Sequence, residues 1–229
     1  QKHRNLPLLM VVSLALLTLS KADQFGDFSF ESSGAEITIT NYTGPGGKVT
    51  VPETIKGLPV TVVESFSSNP ALQEATIPAS VTRIGDFAFS LCSALTSIDV
   101  AETNPSYRST DGVLFDKAQE ILLQYPLGKL GSYSLPVGVT TIRETAFSGC
   151  EGRLTGVTFP DGLLNIGVFA FEGCRSLTNV SIPRSVITIG EAVFLECFGL
   201  TAINVDPLNP NYSSVAGVLF DKNRERLLG

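Results

Sequence analysis

The chain has 229 residues, of which 22 are acidic and 16 basic, with one histidine, four cysteines and no tryptophan. A net charge of −6 disfavours nucleic acid, whose binding rests on basic contacts to phosphate. The single histidine is His3, so the rest of the chain holds no Ser-His-Asp or Cys-His nucleophile and no histidine-based zinc site.

Lys2 and Arg4 precede an apolar run from Leu6 to Leu19, and Ser20-Lys21-Ala22 follows. A basic start, a short hydrophobic stretch and small residues at the −3 and −1 positions predict a secretory signal peptide over residues 1–22. The run is shorter than the roughly 20 residues a membrane span needs, so no span is expected in the mature chain. Cleavage after Ala22 removes three basic and no acidic residues, leaving a net charge of −9. The expected location is secreted or at the cell surface.

Residues 23–48 are expected to form an N-terminal β cap. Phe28-Ser29-Phe30 and Ile37-Thr38-Ile39-Thr40 alternate as strands do, and Ser32-Ser33-Gly34 supplies a turn between them. Thr43-Gly44-Pro45-Gly46-Gly47 is a turn and lacks the Lys-Ser/Thr of a phosphate loop.

From residue 49 a short period takes over. Ile142 to Cys150, Ile166 to Cys174 and Ile189 to Cys197 are near-copies, and Ile84 to Cys92 is a fourth. In each, Phe stands five residues after Ile and Cys three residues after Phe. Each phrase is followed by a strand pattern: Leu95, Ile98 and Val100; Leu154, Val157 and Phe159; Leu177, Val180 and Ile182; Leu200, Ile203 and Val205. Pro78, Pro136, Pro160 and Pro183 stop ladder pairing at the strand ends. The Ala-Phe-x-x-Cys stretch is too short for a long helix and is expected to be one helical or 3₁₀ turn whose Phe faces inward. The period of 23 or 24 residues means stacked coils, none of which buries its faces alone.

A longer period overlies the short one. Asn104-Pro105, Tyr107 and Gly112 to Lys117 recur 105 residues later as Asn209-Pro210, Tyr212 and Gly217 to Lys222. Residues 101–134 and 206–229 are therefore inserted modules between ordinary coils. Val113–Phe115 and Ile121–Tyr125 are expected to form a hairpin. The second copy stops at Leu227-Leu228-Gly229 where the first runs into Gln124-Tyr125-Pro126, so the chain is expected to be part of a longer protein.

These phrases resemble the BspA-like type of leucine-rich repeat, a family of bacterial surface proteins with a recurring "IG..AF.GC..LT.V.IP" phrase. The match is specific over Val81–Val100 and Thr140–Val205 and extends over roughly residues 49–229. Phe66, Asn69, Leu72 and Ile77 form a degenerate unit 23 residues ahead of Phe89, Cys92, Leu95 and Val100, with Asn69 on the cysteine position. The resemblance implies an α/β-class, β-rich repeat solenoid with parallel strands on one face and short turns on the other. A parallel β-helix is the alternative fold. The resemblance also implies a protein partner, host, matrix or cell-surface, bound by adhesion. A spacer that holds a downstream domain is the alternative role. Neither enzymatic activity nor a cofactor is expected.

Four side-chain sets bear on chemistry. Cys92, Cys150, Cys174 and Cys197 share one repeat position, so stacking places them in a parallel row, which fits buried free thiols better than disulfides or a tetrahedral zinc site. Asp111, Asp116 and Asp221 are too sparse for calcium, which wants six to eight oxygens. Asn41, Asn179 and Asn211 fit a glycosylation sequon. The outward strand positions Thr96, Ser97, Asp99, Thr155, Thr158, Thr178, Asn179, Ser181, Thr201 and Asn204 form a hydroxyl-rich band expected on the concave side. That band is either a recognition face or a solvated face built from good strand formers.

Overall fold

The computed structural model of the chain describes residues 23–225 and 227. The predicted signal peptide lies outside these residues. Among the described residues the chain is a β-rich solenoid of parallel coils.

Each coil contributes one strand to a face sheet and one to a back sheet. The face strands are Gly47–Thr50, Leu72–Ile77, Ser97–Val100, Gly131–Ser134, Leu154–Thr158, Asn179–Ile182 and Ala202–Val205. Their pairings are parallel and in step with the repeat: Ala75 stands beside Ile98, Tyr133 beside Val157 and Val180 beside Ile203. The back strands shorten to two residues, Arg83–Ile84, Thr141–Ile142, Asn165–Ile166 and Thr188–Ile189. The proline after a face strand opens a turn, as where Val186 N–H bonds to the Pro183 carbonyl at 3.2 Å. Proline's preset φ suits that place and its missing N–H costs nothing there.

The N-terminal cap is a meander of Asp23–Phe25, Phe28–Ser33 and Glu36–Tyr42. Its third strand pairs in parallel with Leu58–Val63, so the cap also starts the back sheet.

The helical or 3₁₀ turns expected at Ala-Phe-x-x-Cys are absent; among the described residues there is no helix. The hydrogen bonds give the reason. Ala146, Ser148 and Cys150 N–H bond three residues back, to Arg143, Thr145 and Phe147. The residues between them, Thr145, Phe147 and Gly149, donate instead to Val168, Ala170 and Glu172 of the next coil. A helix needs every N–H for itself, whereas here alternate donors are spent on stacking. The geometry requires a left-handed residue just before the cysteine position. Gly149 and Gly173 take it at φ +84° and +69°, while Ser68, Leu91 and Glu196 adopt it without glycine's freedom.

Close stacking also explains the Ile-Gly phrase. A Cβ on Gly190 would sit 2.5 Å from the Val168 amide nitrogen, and one on Gly85 2.5 Å from the Glu64 carbonyl oxygen. Inside the coils the phenylalanines stack, with Phe147 and Phe171 centroids 4.6 Å apart and Phe66 and Phe89 5.4 Å apart.

The inserted module divides the solenoid. Tyr107–Thr110 and Val113–Asp116 form a tight hairpin through Asp111-Gly112, both at positive φ. Ile121–Gln124 adds a third, antiparallel strand and then pairs in parallel with Thr141–Ile142. The hairpin ends the first face sheet, because Ile98 N–H bonds to the Gly112 carbonyl at 2.8 Å. It also ends the first back sheet, because Ile84 N–H bonds to the Tyr107 hydroxyl at 3.0 Å. Strand alternation then separates two cores: Leu114 packs into the N-terminal one, Val113 and Phe115 into the C-terminal one.

Asn104 holds the module in place. It is fully buried, its Nδ2 donates to the Pro78 and Val81 carbonyls at 2.8 Å each, and its Oδ1 accepts from Ser106 and Tyr107 N–H. Asn209 repeats all four contacts on Pro183, Val186, Asn211 and Tyr212.

Asn104→Ala strips partners from four backbone groups and is expected to cost about 3 kcal/mol in urea unfolding. Leu91→Gly is expected to stabilise by about 0.5–1 kcal/mol, since Leu91 stands exposed at φ +60°. A loss of stability in Leu91→Gly would contradict the strain assignment.

Candidate interaction face

The face strands carry all ten predicted residues or lie immediately next to them. Nine are exposed and Ser97 is half-buried. The hairpin separates them. Thr96, Ser97 and Asp99 belong to the N-terminal sheet, beside Glu74 and Thr76. Thr155, Thr158, Thr178, Asn179, Ser181, Thr201 and Asn204 belong to the coils beyond the hairpin, where Asn179 stands beside Ala202 and Ser181 beside Asn204.

Sequence reasoning missed Ser132 and Ser134. They extend the second field by one strand, with Ser132 beside Gly156 and Ser134 beside Thr158. The Ser-Tyr-Ser alternation around buried Tyr133 was the available signal. Lys48 and Glu74, paired at 2.9 Å, make the N-terminal field charged. The second field carries no charge on its outward strand positions; it consists of two parallel pairs, Gly131–Ser134 with Leu154–Thr158 and Asn179–Ile182 with Ala202–Val205, and within each pair those positions recur at the strand spacing of about 4.8 Å.

Three threonine hydroxyls in the band are committed to stacking. Thr96 Oγ1 donates to the Gln73 carbonyl at 3.1 Å, Thr178 to Thr155 at 3.3 Å and Thr201 to Thr178 at 2.9 Å. A hydroxyl so used keeps its acceptor lone pairs for a partner. Ser97 is held by the Asp99 carboxylate at 2.7 Å. At the strand exits the second field borders an open groove of about 330 Å³, lined in part by Phe159, Asp161, Ser181, Asn204 and Asp206.

The cysteine column serves the same stacking. All four thiols are free and buried. Cys92 Sγ donates to the Phe66 carbonyl at 3.2 Å, Cys174 to Phe147 at 3.3 Å and Cys197 to Phe171 at 3.0 Å. Asn69, on the same repeat position, donates to the Gly44 carbonyl at 3.0 Å. Both residue types thus bond to a backbone carbonyl of the preceding coil. Burial pushes the Cys92 thiol up. The Cys174 thiol is pushed well up, first by the neighbouring Cys150 thiol and then by burial, and the Cys197 thiol first by the Cys174 thiol and then by burial. Among the described residues, no cluster of three or more histidine, cysteine or acidic side chains is placed to hold a metal ion.

Coils of this length, with the Asn/Cys column and the Ile-Gly approach, coincide with a family described as a BspA type leucine-rich repeat region, matched in six copies over residues 48–118 and 124–222. The chain belongs to the BspA-type leucine-rich-repeat family. A solved leucine-rich repeat protein from Eubacterium ventriosum is similar at 26% identity, with a TM-score of 0.56 over 69% of this chain and 53% of that one. This BspA-type chain therefore spans about half the length of that relative. The pneumococcal vaccine antigen PcpA shares the fold at 18% identity and a TM-score of 0.50, over 83% of this chain and 82% of that one. A leucine-rich cell surface protein from Faecalibacterium prausnitzii aligns at 20% identity and a TM-score of 0.42, over 81% and 94%. No curated protein matches the chain.

The raised thiol pKa values set a pH dependence for the BspA-type coils. Unfolded thiols ionise near their ordinary value of about 8.5, while folded Cys92, Cys174 and Cys197 stay protonated beyond it. The stability they contribute is present in full below that value and falls as pH rises above it. Stability in urea is expected to fall between pH 8 and 10, and iodoacetamide at pH 9 to leave the folded protein unlabelled but modify four thiols after unfolding. Fewer than four would mean that disulfides had formed.

Proposed function

We propose that this BspA-type chain is a secreted or cell-surface protein that binds a protein partner through its second face field, in an adhesive role. One observation carries the proposal. Outward hydroxyl and amide side chains, from Ser132 to Asn204, stand exposed on rigid paired strands with no charge among them. Such a surface offers donors and acceptors in a fixed register without the desolvation cost of burying ions. The family is one of repeat scaffolds, which favours a non-catalytic role.

A spacer role is favoured by a different observation. The Thr96, Thr178 and Thr201 hydroxyls already hold coils together, so part of the band is accounted for by stacking alone.

Thr178→Arg with Asn204→Arg separates the two roles. The purified chain and this variant are compared on an array of extracellular-matrix and cell-surface proteins at low and high salt. Binding through the face predicts a partner retained at 0.5 M NaCl and lost at least tenfold in the variant, with Tm unchanged. Equal binding by both, or no retained partner, would leave the spacer role.

A further inference from the structure

Two coils cross the turn after their back strand by a shortcut. Phe66 follows Val63 and Tyr125 follows Leu122 by three residues, whereas Phe89 follows Ile84 and Phe147 follows Ile142 by five. Each short turn stacks on a long one in the same way. Gly85 N–H bonds to the Val63 carbonyl and Phe66 N–H to the Ala88 carbonyl, just as Arg143 N–H bonds to Leu122 and Tyr125 N–H to Ala146. The rings still meet, with Phe66 and Phe89 centroids 5.4 Å apart and those of Tyr125 and Phe147 4.8 Å apart. The two residues that each short turn lacks leave room at the rim of the junction. At the second junction Gln124 takes that place: it is buried, and its Nε2 donates to the Tyr125 carbonyl at 3.0 Å and the Ala146 carbonyl at 3.5 Å. At the first the place falls to the smaller Ser65. There an open cavity of about 540 Å³ remains, lined in part by Glu64, Ser65, Ser67, Arg83, Asp86 and Phe87.

We propose that this cavity is a binding site for a neutral saccharide. Its volume is in the range of small-ligand sites. Phe87 is 58% exposed and offers an aromatic ring on which the apolar face of a pyranose can lie. Hydroxyls and carboxylates stand around it. The Ser65 and Ser67 hydroxyls share a hydrogen bond at 2.7 Å, and Ser67 N–H donates to Ser65 Oγ at 3.0 Å. Glu64 pairs with Arg83 through Oε1, and Asp86 pairs with Arg143 through Oδ1 at 3.0 Å. Each carboxylate keeps its second oxygen as an acceptor for sugar hydroxyls. The charges select the class of ligand. Each carboxylate is matched by a guanidinium, so the lining is polar without net charge. A cationic peptide or an acidic glycan gains from one member of each pair and is repelled by the other, whereas a neutral polyol bonds to both as they stand. The cavity lies at the turn after the back strand, away from the face strands, so it is independent of the face as a protein-binding surface.

The test titrates the full chain calorimetrically with maltotetraose, cellotetraose, xylotetraose and chitotetraose, and with tetragalacturonate and tetralysine as charged probes. At least one neutral tetrasaccharide is expected to bind, equally at low and high salt. Phe87→Ala should weaken that binding about tenfold or more with Tm unchanged, since the ring is exposed, and Phe87→Trp should keep it. Ser65→Gln, which copies the second junction, should also weaken it about tenfold or more by filling the cavity. Thr178→Arg with Asn204→Arg should leave it intact, which separates this site from the face. Absence of binding by all four neutral saccharides would overturn the proposal. So would binding that survives Phe87→Ala or a folded Ser65→Gln variant, or that is lost in the face variant. Tetragalacturonate or tetralysine held in preference to every neutral saccharide, and released by Phe87→Ala, would overturn it as well, since the ligand would then be an ion.

Discussion

The structure depends on the division of backbone N–H groups between a coil and its neighbour. At the Cys150 and Cys174 turns, alternate donors bond within the coil and the rest reach across to the next. This is the physical content of the 23- or 24-residue period. A coil in isolation would leave half of its turn donors and both strand edges without partners, so order arises only in the stack. The same rule selects the residues. Glycine follows isoleucine in three of the four phrases, at Gly85, Gly167 and Gly190, because neighbouring backbones nearly touch there. Gly149 and Gly173 precede their cysteines where the turn passes through positive φ, a conformation that Leu91 and Glu196 adopt in the other two coils. The cysteine itself, like Asn69 before it, supplies one more donor to the coil behind.

Most of this architecture was legible as spacing. Identical intervals between Ile, Phe, Cys and Leu mark the inward positions, and they hold because a coil of constant circumference tolerates little change. The helical turns were misjudged because composition reports which residues face inward and says nothing of where an N–H points. The first hairpin of the module was legible only in part. Val113–Phe115 and Ile121–Tyr125 announced themselves by hydrophobicity, whereas Tyr107–Thr110 is polar and was declared a strand only by pairing. Asn104 was visible as a repeated residue, but its four simultaneous hydrogen bonds are a tertiary fact.

The face was harder to read than the fold. Thr178 and Thr201 look alike in sequence whether they await a partner or hold a carbonyl of the preceding coil, and here they do the latter while staying exposed. The interruption of the band was also hidden: the 105-residue period marks an inserted module between coils but says nothing of the Ile98 N–H to Gly112 bond that ends the face sheet there. Once that layer is seen, the ten residues separate into a charged field before it and an uncharged field after it. The contrast sharpens which side chains a protein partner would meet together.

Leu114 and Phe115, adjacent in one strand, belong to different interiors. The hairpin acts as a bulkhead in a hull. A cavity or an oxidised side chain on one side lies in a different apolar cluster from the other, and the ties across the wall include Gly128 N–H to the Leu95 carbonyl at 2.6 Å and Arg143 to Asp86 at 3.0 Å. Damage to a long solenoid built this way is contained within one compartment.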